Sequence, residues 1–293
     1  MKKYDTLVIG HPSFDFNIDW QDNLITELGG AVFYSSASAY AGGNKVGVVT
    51  KLAEKDKDAL KKFVIPQEDI FYIPSSKSTS IRNKYFTADK ERRKCTCISQ
   101  ADPFTIDDIP DVESEIYHFA GLIYGDYADG LIEELSKRGK VAVDVQGFLR
   151  HASGDNTDMY FENWADREKL IPYITYLKTD AAEAEILTGK TDRAEAARIL
   201  YDMGAKEVLI THNTEVLAYD GKRVYTCPIK ARSLIGRSGR GDTTFAAYIT
   251  ERKRASVEEA LLFATACVSS KMEKLGPYTG KREDILAYIK EFY

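Results

Sequence analysis

The chain has 293 residues, of which 44% are hydrophobic, 11% aromatic and 29% charged, so it is long and apolar enough to bury a core and is not disordered as a whole. Its formal charge of −5 comes from acidic and basic residues interleaved along the chain, which argues against a binding surface for duplex nucleic acid. No run approaches the roughly 18 apolar residues of a membrane span, and the apolar stretch after residues 1–5 is too short for a signal sequence, so we expect a cytoplasmic protein.

Predicted strands alternate with helical segments through most of the chain. Each predicted strand is a short, β-rich apolar run, and a helical or small-residue stretch separates it from the next. Repeated units of this kind predict a parallel sheet covered by helices on both faces. In chain order we predict strands at 4–9 and 45–50 around a helix at 31–41, strands at 115–120 and 141–145 around a helix near 126–138, and strands at 173–178 and 207–211 around a further helix.

Two segments, residues 14–28 and 71–99, break this rhythm. Both carry β-branched and aromatic residues in alternation with polar ones, as in Thr79–Phe86, and neither has helical periodicity. We predict that they form antiparallel strands of a small lid sheet outside the main one, with long surface hairpins as the alternative. Because no Pro/Gly/Ser-rich linker divides the chain, residues 1–293 are expected to form one domain with this excursion.

The C-terminal part is predicted to be helical over 243–251, 257–274 and 282–292. Just before the first of these helices lies the glycine-rich segment Leu234–Phe245. Glycines before a helix start bring backbone N–H groups close to phosphate oxygens, and the helix dipole favours negative charge there. The segment therefore predicts an anion site.

Asp242 occupies an unusual position in this segment. Gly236 and Gly241 have the spacing of a GxxxxGK[ST] phosphate loop, but Asp242 stands where that loop has lysine. The dinucleotide-binding fingerprint also fails, because Thr244 stands where its third glycine should be. A carboxylate here makes sense for deprotonating a hydroxyl that attacks the phosphate. We predict Asp242 as a general base, with a structural helix cap as the alternative.

The cysteines and histidines do not indicate a metal centre. No CxxC pair or His/Cys cluster has the spacing of a zinc site, and we expect free thiols. The residues concerned are Cys95, Cys97, Cys227, Cys267, His11, His118, His151 and His212.

Several motifs carry a family resemblance that recurs in order across nearly the whole chain. Residues 239–243, Gly-Arg-Gly-Asp-Thr, resemble the GxGD signature of ribokinase-like (PfkB) sugar kinases. Gly10 followed by Asp15 resembles the family's acceptor-binding turn, and Gly29-Gly30 resembles the paired glycines that open its first long helix. Lys178–Gly189 is similar to the family's NxxE segment with its trailing LTG.

The resemblance implies an α/β fold, namely a ribokinase-like three-layer sandwich with a mostly parallel central sheet and a small β-sheet lid. It also implies phosphoryl transfer from ATP to a hydroxyl of a small polyol, with Mg²⁺ as cofactor. Whether the reaction also requires a monovalent cation such as K⁺ is left open by the sequence. Asp242 would be the general base. The other implied roles are an anion hole from the amides of Gly239, Arg240, Gly241 and Asp242, acceptor binding by Asp15, Gly29 and Gly30, and action of Glu183 through the water shell of Mg²⁺.

On the donor side the chain departs from the family pattern. Asp180 stands where the family has asparagine, and with Glu183 three residues later it could approach a hydrated cation. A solvated acidic helix start is the alternative. Thr211 opens a segment where relatives carry T-x-G-x-x-G before a nucleotide pocket, and Asn213 stands at the first glycine position. We assign Asp180, Glu183, Thr211 and Asn213 to the binding site of the phosphate donor. The nucleotide preference stays open.

The acceptor side is predicted from donors near the carboxyl end of a strand, where α/β sheets bind ligands. Gln146 and Arg150 lie there, and Arg82 lies on the predicted lid. These groups suit a polyhydroxylated acceptor and resemble the inositol-kinase-like branch of the family, although surface ion pairs are the alternative for both arginines. A nucleoside kinase and a catalytically silent sugar-binding regulator are the alternative functions. The exposed edge of the lid sheet also predicts a homodimer.

Overall fold

The computed structural model describes residues 2–87 and 92–293. Its strands are β1 (Lys3–Ile9), β2 (Ser13–Ile18), β3 (Leu24–Gly29), β4 (Val46–Leu52), β5 (Ile70–Pro74), β6 (Thr79–Tyr85), β7 (Arg93–Ser99), β8 (Glu113–Phe119), β9 (Lys140–Asp144), β10 (Arg150–His151), β11 (Thr157–Asp158), β12 (Tyr160–Phe161), β13 (Tyr176–Asp180), β14 (Glu207–Thr211), β15 (Glu215–Tyr219) and β16 (Val224–Pro228). Its α-helices are α1 (Ala31–Ala41), α2 (Leu131–Ser136), α3 (Gln146–Leu149), α4 (Arg167–Leu170), α5 (Ala181–Thr188), α6 (Arg193–Asp202), α7 (Arg240–Glu251), α8 (Val257–Met272) and α9 (Arg282–Phe292). Within these ranges no helix is long and apolar enough to cross a bilayer.

The main sheet has nine strands in the order β16-β15-β14-β13-β9-β8-β1-β4-β5. It is parallel except for β15 and β16, which pair antiparallel at one edge. Successive side chains of a strand point to opposite faces, and in β1 both faces are buried from Thr6 to Ile9. Leu7 and Ile9 pack with residues of α2, α5 and α6, whereas Val8 packs with residues of α1. With α7 and α8 covering the same face as α1, this is the expected three-layer sandwich.

The small lid sheet has five strands in the order β11-β7-β6-β2-β3. The expected antiparallel hairpins are present as β2–β3 and β6–β7. The expectation of purely antiparallel pairing is wrong, because β2 runs parallel to β6. Strands β1 and β5 are parallel in the main sheet through β4, so the two lid strands that follow them leave the sandwich in the same direction.

The structure corrects the bounds of three predicted elements. Residues 70–74 belong to the main sheet, where β5 pairs with β4, and the second lid segment begins at Thr79. Part of that predicted segment, residues 88–91, lies outside the described residues. The helix predicted near 126–138 is only α2, since Gly130 adopts a left-handed φ of 83° just before it. Helix α7 begins at Arg240, three residues earlier than predicted, which places Asp242 in its first turn.

Candidate active site

The glycine-rich segment lies at the amino terminus of α7, against the carboxyl end of the main sheet. Gly239 is the N-cap of this helix with a left-handed φ of 73°, and a Cβ at this position would lie 2.1 Å from Cγ of Tyr34. Tyr34 is buried and packs directly on the start of the helix. An open cavity of about 800 Å³ lies at the opposite, amino-terminal end of the parallel strands. It is lined by residues such as Asp5 and Arg138 and by none of the predicted site residues.

The predicted anion hole consists of four backbone N–H groups at the start of α7. The first N–H groups of a helix have no partner within it. Those of Gly239, Gly241 and Asp242 donate to no backbone acceptor in residues 2–87 and 92–293. The N–H of Arg240 differs, because it donates to the carbonyl of Arg237 at 3.2 Å. Three of the four predicted amides are therefore open toward a ligand.

A buried lysine that the sequence reasoning missed lies directly beneath these amides. Nζ of Lys178 donates to both carboxylate oxygens of Asp144, at 2.9 and 3.1 Å, and lies 3.0 Å from where a Cβ of Gly241 would be. Burial opposes its charge, but Asp144 and Glu183 outweigh burial and raise the pKa of Lys178. The signal in the sequence was a lysine in the middle of a short strand whose first four residues are buried.

Asp242 is surrounded by charges of both signs. Burial raises the pKa of Asp242 to about 6, and the nearby Asp144 carboxylate adds to this shift. Lys178, Lys271 and Arg150 oppose the shift. The group is thus largely ionised at neutral pH and is a stronger base than an ordinary aspartate.

The charge of Arg150 acts on both Asp15 and Asp242, two of the residues predicted for the site. Oδ1 of Asp15 accepts a hydrogen bond from Oγ of Ser13 at 2.7 Å, and burial raises the pKa of Asp15 to about 6 against the opposing effects of Ser13 and Arg150. Arg150 is buried, and its Nε donates to the carbonyl of Leu122 at 2.8 Å. Gly29 is needed here, since its Cβ would lie 2.4 Å from Oδ2 of Asp15.

Gly30 forms the turn between the lid and α1. Its φ of 98° lies in the left-handed region, and a Cβ would lie 2.6 Å from the carbonyl oxygen of His11. The backbone near Gly30 therefore approaches the turn after β1 more closely than any side chain would allow. Gln146 lies at the start of α3, partly exposed, and its N–H donates to Asp144 at 3.1 Å, beside the Asp144–Lys178 pair.

The inner face of the lid carries a chain of side-chain hydrogen bonds, which we name the lid relay. Sγ of Cys95 donates to Oδ1 of Asn83 at 3.2 Å, Nδ2 of Asn83 to Oδ1 of Asn17 at 3.0 Å, and Nδ2 of Asn17 to Oε2 of Glu27 at 3.0 Å. Because an ionised carboxylate only accepts, Glu27 fixes the orientation of both amides. Cys95, Asn83 and Asn17 are cross-strand partners on β7, β6 and β2, and Glu27 lies diagonally across from Asn17 on β3; none of the four was singled out from the sequence.

Arg82 is a correction to the predicted acceptor site. Side chains of β6 alternate between faces, and Ile81, Asn83 and Tyr85 are buried on the inner face, whereas Arg82 is exposed. Its charge acts on Asp158 of β11 instead. The structure therefore places Arg82 on the outer face of the lid, away from Asp15 and Arg150.

On the donor side, Asp180 and Glu183 form a reciprocal capping box at the start of α5. Oδ1 of Asp180 accepts from the N–H of Glu183 at 2.8 Å, and Oε2 of Glu183 accepts from the N–H of Asp180 at 2.7 Å. Burial raises the pKa of Glu183 to about 8 although Lys178 lies 3.8 Å away. Asp180 and Glu183 therefore cap the start of α5, as the alternative interpretation of an acidic helix start expects.

The fit of this region to Mg²⁺ is indirect. Among residues 2–87 and 92–293, no group of three His, Cys, Asp or Glu side chains is arranged to hold a metal ion. Mg²⁺ keeps several waters and often binds through one or two carboxylates plus substrate phosphates. The second oxygen of Asp180 and of Glu183 takes no part in the capping box, so these two carboxylates fit a hydrated ion that is held mainly by the donor.

Thr211 and Asn213 lie at the end of β14. Thr211 is buried near the anion hole, with Oγ1 3.9 Å from where a Cβ of Gly241 would be. Asn213 is exposed in a tight turn that is closed by the N–H of His212 donating to the carbonyl of Glu215 at 3.0 Å. Burial lowers the pKa of His212, and so do the charges of Arg193 and Arg240, which shows that basic groups gather on this side.

Comparisons with known proteins agree with this geometry. Residues 69–284 match the model of the pfkB family carbohydrate kinases. A pyrophosphate-dependent kinase of the ribokinase family in a sulfate complex is 34% identical, with a TM-score of 0.87 and coverage of 96% of this chain and 99% of that one. Another such kinase, complexed with a pyrophosphate analogue and myo-inositol, is also 34% identical, with a TM-score of 0.86 and the same coverage. A cytidine kinase from Thermococcus kodakarensis is 26% identical over 284 residues, which are 94% of this chain and 98% of the relative.

The matched family model spans both the second lid segment and the start of α7. The chain therefore belongs to the pfkB family of carbohydrate kinases, in the inositol-kinase-like branch of the ribokinase fold, and is a phosphotransferase that acts on a hydroxyl group.

Proposed function

We propose that this kinase phosphorylates one hydroxyl of a small polyol such as inositol, with Asp242 as the general base. The observation that carries the proposal is the Asp242 carboxylate in the first turn of α7, beside open N–H groups and within the electrostatic influence of Arg150, whose charge also acts on Asp15. The acceptor oxygen forms a bond to the terminal phosphorus of the donor, the bond to the leaving phosphate breaks, and the hydroxyl proton moves to Asp242. The amides of Gly239, Gly241 and Asp242 stabilise the charge on the transferred oxygens.

A polyol fits the polar groups of the acceptor side. Asp15 offers a carboxylate oxygen, Arg150 offers guanidinium donors, and the lid relay leaves the second N–H of Asn17 and of Asn83 for a ligand. Such directional groups suit several neighbouring hydroxyls. The description of a 34% identical relative with bound myo-inositol supports this acceptor class.

For the donor, we propose inorganic pyrophosphate as preferred over the ATP expected from the sequence. Lys178 lies beneath the anion hole, and the charges of Arg193 and Arg240 act on the same side, which suits a compact polyanion. Two solved structures at 34% identity are described as pyrophosphate-dependent kinases. Mg²⁺ would neutralise the phosphates when bound, with Asp180 and Glu183 holding its water shell.

The test is a panel of inositols, pentoses, hexoses and nucleosides, each assayed with ATP and with pyrophosphate. Asp242→Asn should lower kcat by about 10²–10⁴-fold, with a smaller change in the acceptor KM. The control is Asp111→Asn, which removes an exposed carboxylate at the amino-terminal end of the parallel strands, far from the anion hole. Near-normal turnover of Asp242→Asn would remove the general-base assignment.

A nucleoside kinase is the second candidate, favoured by the likeness to a cytidine kinase over nearly the full chain. Cytidine as the best acceptor in the panel would select it. Ligand-induced stabilisation without product from any donor would instead favour a silent regulator.

We also propose that the lid mediates a homodimer. Strand β3 is an edge of the lid sheet, pairing only with β2 in the described part of the chain. Trp20, Leu24 and Ile25 are 52%, 59% and 55% exposed at this edge. An exposed apolar edge strand favours pairing with another strand.

A further inference from the structure

Lys271 is a buried lysine on the last turn of α8 that is held by backbone carbonyls. Its Nζ donates to the carbonyl of Gly236 at 2.6 Å and also to the carbonyl of Ser238. The same atom lies 4.8 Å from the ring centroid of Tyr34. The side chain is 2% exposed, and in residues 2–87 and 92–293 it forms no ion pair within 4.0 Å. Carbonyl oxygens and an aromatic face are ligands that a monovalent cation accepts.

These carbonyls belong to the loop that leads into the anion hole. In a trans peptide the C=O and N–H groups point in opposite directions, and the described chain contains no cis peptide. The carbonyl of Ser238 points to Lys271, so the N–H of Gly239 must point to the opposite side of the loop. Lys271 therefore fixes the direction of one of the three open donors.

The lysine also belongs to the packing of the helix start. Tyr34 lies between it and Gly239, where no side chain other than hydrogen fits. Burial lowers the pKa of Lys271 to about 8, which leaves its ammonium mostly charged at neutral pH. That charge favours the ionised form of Asp242.

We propose that the ammonium of Lys271 is the resident monovalent cation of the anion-hole loop, so that this kinase needs no K⁺. The residues do not fit a K⁺ ion at this loop, because the two carbonyls that converge there already bind the ammonium. Lys271 is a positioning residue: it orients the N–H of Gly239 and adds positive charge beside Asp242. The proposal rests on the proposed role of Asp242.

The first test uses the wild-type protein. Kinase activity is measured at constant ionic strength with K⁺, Na⁺ or tetramethylammonium as the sole monovalent cation, and we expect equal rates. A requirement for K⁺ would overturn the proposal and leave the proposed function intact. A complete lack of kinase activity with every donor would instead overturn the proposed function.

The second test removes the charge. Lys271→Met keeps most of the side-chain volume and should lower kcat by about 10²–10³-fold, the effect of losing an oxyanion-hole donor, with less change in the acceptor KM. Calorimetric affinity for pyrophosphate or sulfate should fall in the same variant. Wild-type turnover together with wild-type anion affinity would overturn the proposal.

A smaller side chain tests rescue. Lys271→Ala opens space beside the two carbonyls, and we expect K⁺ or NH₄⁺ to restore part of its activity and thermal stability where Li⁺ does not. Rates equally low in all three salts would argue against a cation site. The control is Lys230→Met, since Lys230 is exposed yet also lies over a ring, with Nζ 4.6 Å from the Tyr293 centroid, and it should behave as wild type. If the Lys271 variants fail to fold, the wild-type salt series decides.

Discussion

Two carboxylates in the cleft, Asp15 and Asp242, have pKa values raised to about 6 by burial. A general base works only when it is ionised, and an acceptor-binding carboxylate accepts hydrogen bonds from hydroxyls best in that form. We therefore predict that kcat/KM for the acceptor falls as pH falls through about 6, and that it falls again above about 8, where Lys271 loses its charge. With both carboxylates contributing, the limiting acidic slope is steeper than one proton.

Asp15→Asn separates the two groups. We expect this variant to bind the acceptor less tightly and to keep an acidic limb of one proton, which then belongs to Asp242. The measurement is a pH profile of kcat/KM with saturating donor. A profile that stays flat down to pH 5 would contradict the raised pKa values.

The lid relay gives a second prediction at this scale. Cys95→Ser keeps a donor to Asn83 and should leave the acceptor KM almost unchanged, whereas Asn83→Leu breaks two links. A lost hydrogen bond of about 0.5–1.5 kcal/mol corresponds to a rise in KM of about 2–10-fold for each link. Because the relay orients the acceptor, Asn83→Leu should also change which hydroxyl is phosphorylated, as read by NMR of the product.

The control for the relay is Arg82→Ala. Arg82 lies on the outer face of the same strand, so its removal should change neither KM nor the position of phosphorylation. If Arg82→Ala had the same effect as Asn83→Leu, the result would contradict binding of the acceptor at the inner face of the lid.

Sequence reasoning found the residues that lie within motifs and missed those that act through convergence. Gly239 and Asp242 lie three residues apart in one motif, and their types alone predict an anion site with a base. Lys178 and Lys271 come from β13 and α8, and nothing in either segment says that both ammonium groups end near Asp242. The sequence places Arg82 on the lid but does not say which face it lies on, because the orientation of the lid toward the sandwich is a tertiary property.

At the scale of elements, the start of α7 depends on a glycine for two reasons. Gly239 has a left-handed φ, and its Cβ would meet Tyr34 at 2.1 Å. Gly239→Ala should therefore displace the helix start and lower kcat by about 10²-fold or more, as expected for a misplaced anion hole. Steady-state kinetics test this.

Gly276→Ala is the matched control for that variant. Gly276 has a left-handed φ of 81°, but a Cβ there would meet no atom within 4 Å. It should cost about 1–2 kcal/mol of stability from backbone strain and leave kcat unchanged. Equal kinetic losses in both variants would mean that strain, and not the contact with Tyr34, governs the helix start.

The elements of the sandwich were predictable because buried strands and helices have distinct periods. The edge strand β5 was not, since its side chains are only partly buried and its pattern resembles that of a lid strand. The parallel pairing of β2 with β6 was also beyond a local pattern, because it depends on where the chain leaves the main sheet. Early initiation of α7 follows from its N-cap geometry, which the sequence signals only as a cluster of glycines.

At the scale of the molecule, the lid edge predicts the oligomeric state. Light scattering after size exclusion should give about twice the chain mass of 32.9 kDa at micromolar concentration. Leu24→Lys should shift the protein to a monomer, because a charge on an edge strand opposes pairing. Leu286→Lys, which alters an exposed leucine on α9, should remain a dimer. A wild-type monomer would contradict the proposed dimer.

We propose that residues 1–293 fold as one unit, since the lid takes its strands from separate parts of the chain. Asn17 and Asn83 are neighbours in the lid but lie 66 residues apart, so hairpin β2–β3 leaves the ribosome well before its partner strand exists. At ordinary rates of translation this delay is on the order of ten seconds. During this delay the apolar side chains of Leu24 and Ile25 belong to a hairpin whose sheet is still incomplete. The yield of the protein in a cell should therefore depend on how well chaperones shield the nascent chain.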